Sequence, residues 1–192
     1  AVSNARTEQD LEEVFEKAVQ GALRILVADR VVIYRFHPDW RGYISTEAVV
    51  PGFPRALGNR IEDACIGEHL IEEYKQGRIV PTNNVYEAGF HPQHLKLMDR
   101  LEIKANLVTP ILKDGQLFGL LIAHHCAEPH VWQPSEINFL KELAIRVGLC
   151  LDRVNFLAQK DTETQRAFAL NDISSRIRDA LTVEDIYEAA IS

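Results

Sequence analysis

The residues of this chain that could do chemistry lie in three clusters: Asp63-Ala64-Cys65-Ile66, then His91-Pro92-Gln93-His94, then Ala123-His124-His125-Cys126. A cysteine acts as a nucleophile through its thiolate. Glu62 and Asp63 beside Cys65 would raise its pKa and lower that reactivity. The plainer reading of Cys65 is a small apolar residue next to a loop carboxylate. The imidazoles and the Cys126 thiol are donors suited to zinc. Consecutive strand residues point to opposite faces, however, so His124 and His125 do not easily share one ion, and no metal site is expected. Taken singly, His94 reads as an exposed helix histidine and His124 as a satisfied core histidine at a strand end. Cys126 and Cys150 read as buried packing. No Gly-rich phosphate loop, nucleophile elbow or zinc-protease helix occurs, so an enzyme is not expected. Asp29-Arg30 and Asp99-Arg100 read as solvated or ion-paired loop residues.

The elements that must position these clusters follow from periodicity and turn chemistry. Thr7-Glu8-Gln9-Asp10 opens a helix, and Leu11, Val14, Phe15, Ala18, Val19, Ala22 and Leu26 carry it to about residue 28. Arg30 to Phe36 is β-branched and aromatic, and Tyr43 to Val49 returns as its hairpin partner. A short helix is expected from Gly67 to Gln76, and another from about Pro92 to Leu101, since proline suits a first helical turn. Ala105–Leu112 and Leu117–Cys126 form a second hairpin around the Asp114-Gly115 turn signal. Leu120-Leu121-Ile122-Ala123 is apolar at every position and predicts a strand covered on both faces. A long helix opens at Gln133-Pro134-Ser135-Glu136, with a seam of Ile137, Leu140, Ala144, Val147, Leu151, Val154 and Ala158. That seam fits packing on the chain's own sheet or pairing with a second helix equally well. Helices and antiparallel hairpins in this arrangement give an α+β class.

At 192 residues, 46% hydrophobic and 26% charged, the chain can bury a core and has room for one domain and part of another. A net charge of −7 with no basic stretch argues against nucleic-acid binding. No apolar run reaches the length of a membrane span. Three unpaired cysteines read as reduced thiols in the cytoplasm, or in the cytoplasmic part of a membrane-anchored receptor. Because Ala1 is not an initiator and Ser192 falls inside a helical pattern, an anchor or output module is expected outside the sequence.

The order and spacing of Asp63-Ala64-Cys65, Tyr74-Lys75-Gln76-Gly77-Arg78, Tyr86 to Leu95, Lys104 to Pro110 and Gly119 to Cys126 closely resemble the GAF domain of the cyanobacteriochromes, relatives of the phytochromes. The resemblance implies a central antiparallel sheet of five or six strands, with the terminal helices on one face and a ligand pocket on the other. It implies domain bounds of 7–156, a linker helix over 157–181 and the start of a second, truncated GAF domain over 182–192. The echo of Thr7-Glu8-Gln9-Asp10-Leu11 in Thr182-Val183-Glu184-Asp185-Ile186 supports that last expectation.

The family's ligand is a linear tetrapyrrole such as phycocyanobilin or phycoviolobilin, carried as a thioether on a cysteine just before the pocket histidine. Here that position is Gln93, whose amide is no such nucleophile, so the usual attachment is not expected. The resemblance assigns His94 to the tetrapyrrole rings, His124 to the last ring and Asp63 to the pyrrole nitrogens. It assigns Cys65 to a second, reversible linkage, and Tyr74, Lys104 and Asn106 to the cavity wall. Three functions stay open: a relay and dimerisation element of a phototaxis or histidine-kinase receptor, a photoreceptor holding bilin non-covalently or through Cys65, and a sensor of another small molecule. A parallel homodimer through the terminal helices, a neighbouring GAF domain and an output module are the expected partners.

Overall fold

The computed structural model describes residues 8–58, 60–61 and 66–170. Expectations for Asp63, Cys65, residues 171–181 and the second domain at 182–192 lie outside them. The elements run α1 (Glu8–Ile25), β1 (Arg30–Phe36), β2 (Gly42–Val49), β3 (Arg60–Ile61), α2 (Glu68–Lys75), β4 (Val80–Thr82), α3 (Pro92–Arg100), β5 (Ala105–Lys113), β6 (Gln116–His125) and α4 (Pro134–Leu170). The strands form one six-stranded sheet in the order β3-β2-β1-β6-β5-β4, with every pairing antiparallel.

Strand alternation sorts the apolar residues onto two faces. Val31, Ile33, Leu107, Leu121 and Ala123 join Phe15, Val19 and Ala22 of α1 and Leu140 and Ala144 of α4 in the larger core. Val32, Tyr34, Val108 and Leu120 join Ile71 and Tyr74 of α2 and Leu97 and Met98 of α3 in the other. The unbroken apolar run of β6 is thereby explained, because helices cover the sheet on both sides.

α1 stops three residues short of the expected end. Val27 adopts φ 48°. The Ala28 amide donates to the Leu23 carbonyl at 3.1 Å and the Val27 amide to Arg24 at 3.3 Å, a Schellman closure. Asp114 and Gly115 take positive φ values of 50° and 72°, as a tight hairpin turn between twisted strands requires. The Asp114 amide also donates to Asp152 Oδ1 at 2.7 Å, tying the hairpin tip to α4.

α4 is continuous over 37 residues and crosses the expected linker boundary without a break. Its seam has one answer over most of its length. Leu140, Ala144, Val147 and Leu151 are buried in the larger core, and Val154 packs with Val14 and Cys150. Their apolar faces are covered by this chain's own sheet and α1, so they are not available to a second helix. Gly148 sets the closeness of that packing, because a Cβ built there would stand 2.2 Å from the Leu112 carbonyl oxygen.

Gly→Ala inside a helix normally stabilises by about 1 kcal/mol. At Gly148 the sign should invert, with a loss of about 1–3 kcal/mol from overpacking. Thermal unfolding of Gly148→Ala checks this, and a Tm equal to or above that of the unchanged chain would contradict the packing described. Val147→Glu buries a charge in the same interface and is expected to unfold the domain rather than only weaken an association, as circular dichroism would register.

Candidate functional site

On the sheet face opposite α1 and α4 lies a cavity of about 360 Å³, within the usual size range of small-molecule sites. Its floor is the alternate residues of four strands: Val32 and Tyr34, Ile44, Asn106 and Val108, then Leu120, Ile122 and His124. Val80 and Thr82 of β4 close one side. The roof is Leu70 and Tyr74 of α2, Phe90, and His91, Gln93, His94, Leu97 and Met98 around α3, with Ile66 and Ala56 at the edge.

The local sequence explains the roof. His91 caps α3, its Nδ1 accepting the Gln93 amide at 3.3 Å, and Pro92 follows at the first helical position. Gln93 is exposed at the cavity mouth, and His94 is half-buried with Phe90 edge-on at 4.7 Å. Tyr74 is buried, and burial raises its phenol pKa, so it stays protonated as a donor.

The polar part of the floor is a row set by strand register. Thr82 pairs with Asn106, Asn106 with His124, and His124 with Arg30. All four are buried. Burial first, then the Arg30 charge, then His125, lower the His124 pKa well below its usual value, so this imidazole is neutral. Arg30 Nη1 stands 3.5 Å from His124 Nδ1. A guanidinium only donates, so Nδ1 accepts and the ring proton belongs on Nε2. Asn106 Oδ1 is buried in the cavity floor with no hydrogen-bond partner among the described residues.

Arg30 is ion-paired, as one of the two expectations has it, but it opens β1 instead of lying in a solvated loop and is completely buried. Its Nε lies 3.4 Å from Glu47 Oε2, and Nη1 donates to the Leu101 carbonyl at 3.1 Å. Nη2 donates to the Pro54 carbonyl. Asp29 Oδ2 accepts the Cys126 amide at 2.7 Å and the Ala127 amide at 3.1 Å. The signal in the sequence is a charged pair, Asp29-Arg30, set directly before the apolar run Val31-Val32-Ile33.

Five of the expected site residues, Tyr74, Gln93, His94, Asn106 and His124, therefore meet around one cavity. Lys104 does not. It lies outside the cavity lining, 3.2 Å from the Tyr86 hydroxyl, which in turn donates to Asp99 Oδ1 at 2.7 Å. Its place is a clamp between α3 and the loop before it. Asp63 and Cys65 fall outside the described residues. Cys126 is buried behind Arg30, and burial pushes its pKa up to about 11, which leaves it a thiol at neutral pH.

The GAF domain family matches residues 10–151 of this chain. The crystal structure of the blue-light absorbing form of the Thermosynechococcus elongatus PixJ GAF domain is 40% identical, with a TM-score of 0.80, over 82% of this chain and 94% of that one. The crystal structure of the cyanobacteriochrome TePixJ GAF domain is 41% identical, with a TM-score of 0.73, over 81% and 96%. A Synechocystis protein named for methyl-accepting chemotaxis is 44% identical over 149 residues, 78% of this chain. The chain spans only 15% of that relative's length. No helix among the described residues is long and apolar enough to cross a membrane. The sheet order, the roofed cavity with its histidines and these likenesses agree: the chain belongs to the GAF domain family, in its cyanobacteriochrome group, and is homologous to the sensory modules of signalling receptors.

Proposed function

We propose that the cavity beneath α2 and α3 takes a linear tetrapyrrole without a thioether at residue 93, and that α4 relays its state within a longer receptor. The observation that carries this reading is Asn106 Oδ1, a buried acceptor in the floor of a mostly apolar cavity. Leaving such a group unsatisfied costs about 1–3 kcal/mol, a cost that a ligand N–H removes. The pyrrole rings offer such donors. His124 adds a neutral imidazole beside it, and Tyr74 a protonated phenol. The apolar walls suit the ring faces. Gln93 stands at the mouth with an amide where a thiol would be needed. Cys65 is the remaining candidate thiol, one residue before the lining residue Ile66 in sequence.

Co-expression with a phycocyanobilin supply should give a coloured native protein that loses its pigment on acid denaturation, or keeps it only through Cys65. Gln93→Cys should convert the pigment to a denaturation-resistant adduct. A pigment that survives denaturation in Cys65→Ala would refute the attachment claim. A folded protein that stays colourless both as it is and as Gln93→Cys would refute the ligand.

Asn106→Leu separates binding from folding. It should stabilise the ligand-free domain by about 1 kcal/mol while weakening pigment retention up to about tenfold. A loss of stability without pigment would show that Asn106 is already satisfied.

The relay half of the reading is supported by a second stripe on α4. Ile145, Leu149 and Phe156 are 47%, 61% and 56% exposed. At 3.6 residues per turn they share one side of the helix, away from the buried seam. A parallel helix pair from two copies would cover them, and a twofold dimer is the commonest way to do so. Sedimentation at micromolar concentration should show a dimer that Leu149→Glu dissociates with its fold intact. A monomer before substitution would remove the basis of this pairing.

A further inference from the structure

We propose that His125, His130 and Glu136 form a binding site for a divalent transition metal, zinc above all, on the sheet face opposite the cavity. The alternation that keeps His124 and His125 from sharing an ion sends His125 to the other side of β6, where two further donors arrive from different elements. One atom from each of the three residues lies within 4.8 Å of the others.

Each donor is placed by a separate structural cause. His125 ends β6, in register with Ala105. His130 sits in the connection to α4, held by its amide donating to the Asn83 carbonyl at 3.0 Å. Trp132 fixes the same connection, its Nε1 donating to the Thr82 carbonyl at 3.1 Å and its amide to Asn83 Oδ1 at 3.0 Å. Glu136 lies in the first turn of α4 and accepts the Gln133 amide at 2.9 Å through Oε1, as a helix cap.

The arrangement is poorly explained by packing alone. The His125 and His130 rings stack with centroids 4.0 Å apart, which brings their nitrogens together at one edge. His125 Nε2 is buried with no hydrogen-bond partner among the described residues. His130 Nε2 meets the two Glu136 oxygens at 2.9 and 3.0 Å. Two imidazoles and one carboxylate, with a fourth position for water on the half-exposed side, are a donor set that zinc accepts.

Bonds of about 2.0–2.1 Å in a tetrahedron place donors roughly 3.4 Å apart, so donors standing up to 4.8 Å apart must close by about 1.4 Å at most. The product is a clip joining the end of β6 to the first turn of α4.

The test uses the tag-free 192-residue chain after chelator treatment, titrated with ZnCl2 by calorimetry, with Co2+ as a spectroscopic reporter. One Zn2+ per chain, a Zn2+-dependent rise in Tm, and the intense visible bands of four-coordinate Co2+ are expected. His130→Gln should weaken binding by about tenfold or more and abolish the Tm rise. Glu136→Gln should do the same while keeping an oxygen to accept the Gln133 amide, so a folding defect at the helix cap is distinguished from loss of a ligand. Unchanged Zn2+ affinity in both variants would place the metal elsewhere and overturn the proposal. So would the absence of stoichiometric binding by the unchanged chain at micromolar Zn2+. Neither outcome bears on the tetrapyrrole cavity, which uses none of these side chains.

Discussion

The architecture depends on one buried cation. Taking a guanidinium out of water costs several kcal/mol even after relaxation, so the surroundings must satisfy it almost completely. Arg30 meets this demand by drawing in distant parts of the chain: Glu47 from β2, the Pro54 carbonyl, the Leu101 carbonyl after α3, and His124 from β6. Glu47 is held in turn, with Oε2 accepting the Ala56 amide at 2.5 Å. The segment after β2 and the end of α3 both border the cavity, so the same charge that closes the sheet also sets where its roof is anchored. Removing one partner of such a buried pair costs about 3–5 kcal/mol, and here the loss would be felt at the cavity edge as well as in the sheet.

The buried charge also explains the chemistry of its neighbour. Burial first, and then the positive group within hydrogen-bonding reach, keep His124 uncharged, and that group selects its tautomer. The polar row from Thr82 to Arg30 then grades across the strands from hydroxyl to amide to neutral imidazole to cation, by register alone. The remaining floor is aliphatic apart from Tyr34. A site with one polar edge and one apolar body suits a ligand built the same way.

Much of this was legible from the residues. The β1 span, the Pro92 start of α3 and the Asp114-Gly115 turn follow from local chemistry, and that chemistry survives into the fold. The double-sided cover of β6 was legible because an unbroken apolar run has no solvent face to offer. What was not legible depends on partners distant in sequence. The α4 seam shows the same period whether its partner is a sheet or another helix, so spacing cannot choose between them. The buried state of Arg30 rests on carbonyls contributed by Pro54 and Leu101, which no local pattern announces. Lys104 precedes a strand with a cavity-facing residue, but its own side chain leaves on the Tyr86 side. The two-residue β3 and the three-residue β4 carry too little pattern to be read before their pairing partners are known.

The Gly148 contact restricts the ways in which α4 can move. A slide of one residue along the axis, about 1.5 Å, would bring a side chain to the point where the helix meets the Leu112 carbonyl with no room for a Cβ. Four residues further along the helix, Asp152 holds the tip of the β5–β6 hairpin by accepting the Asp114 amide. The helix is thus barred from pistoning and joined to the hairpin whose strands carry Asn106 and His124. What remains is pivoting about a fulcrum, with the hairpin as the short arm and the helix beyond Val154 as the long one. A change of strand twist at the cavity floor would emerge, magnified, as a sideways swing of the distal helix.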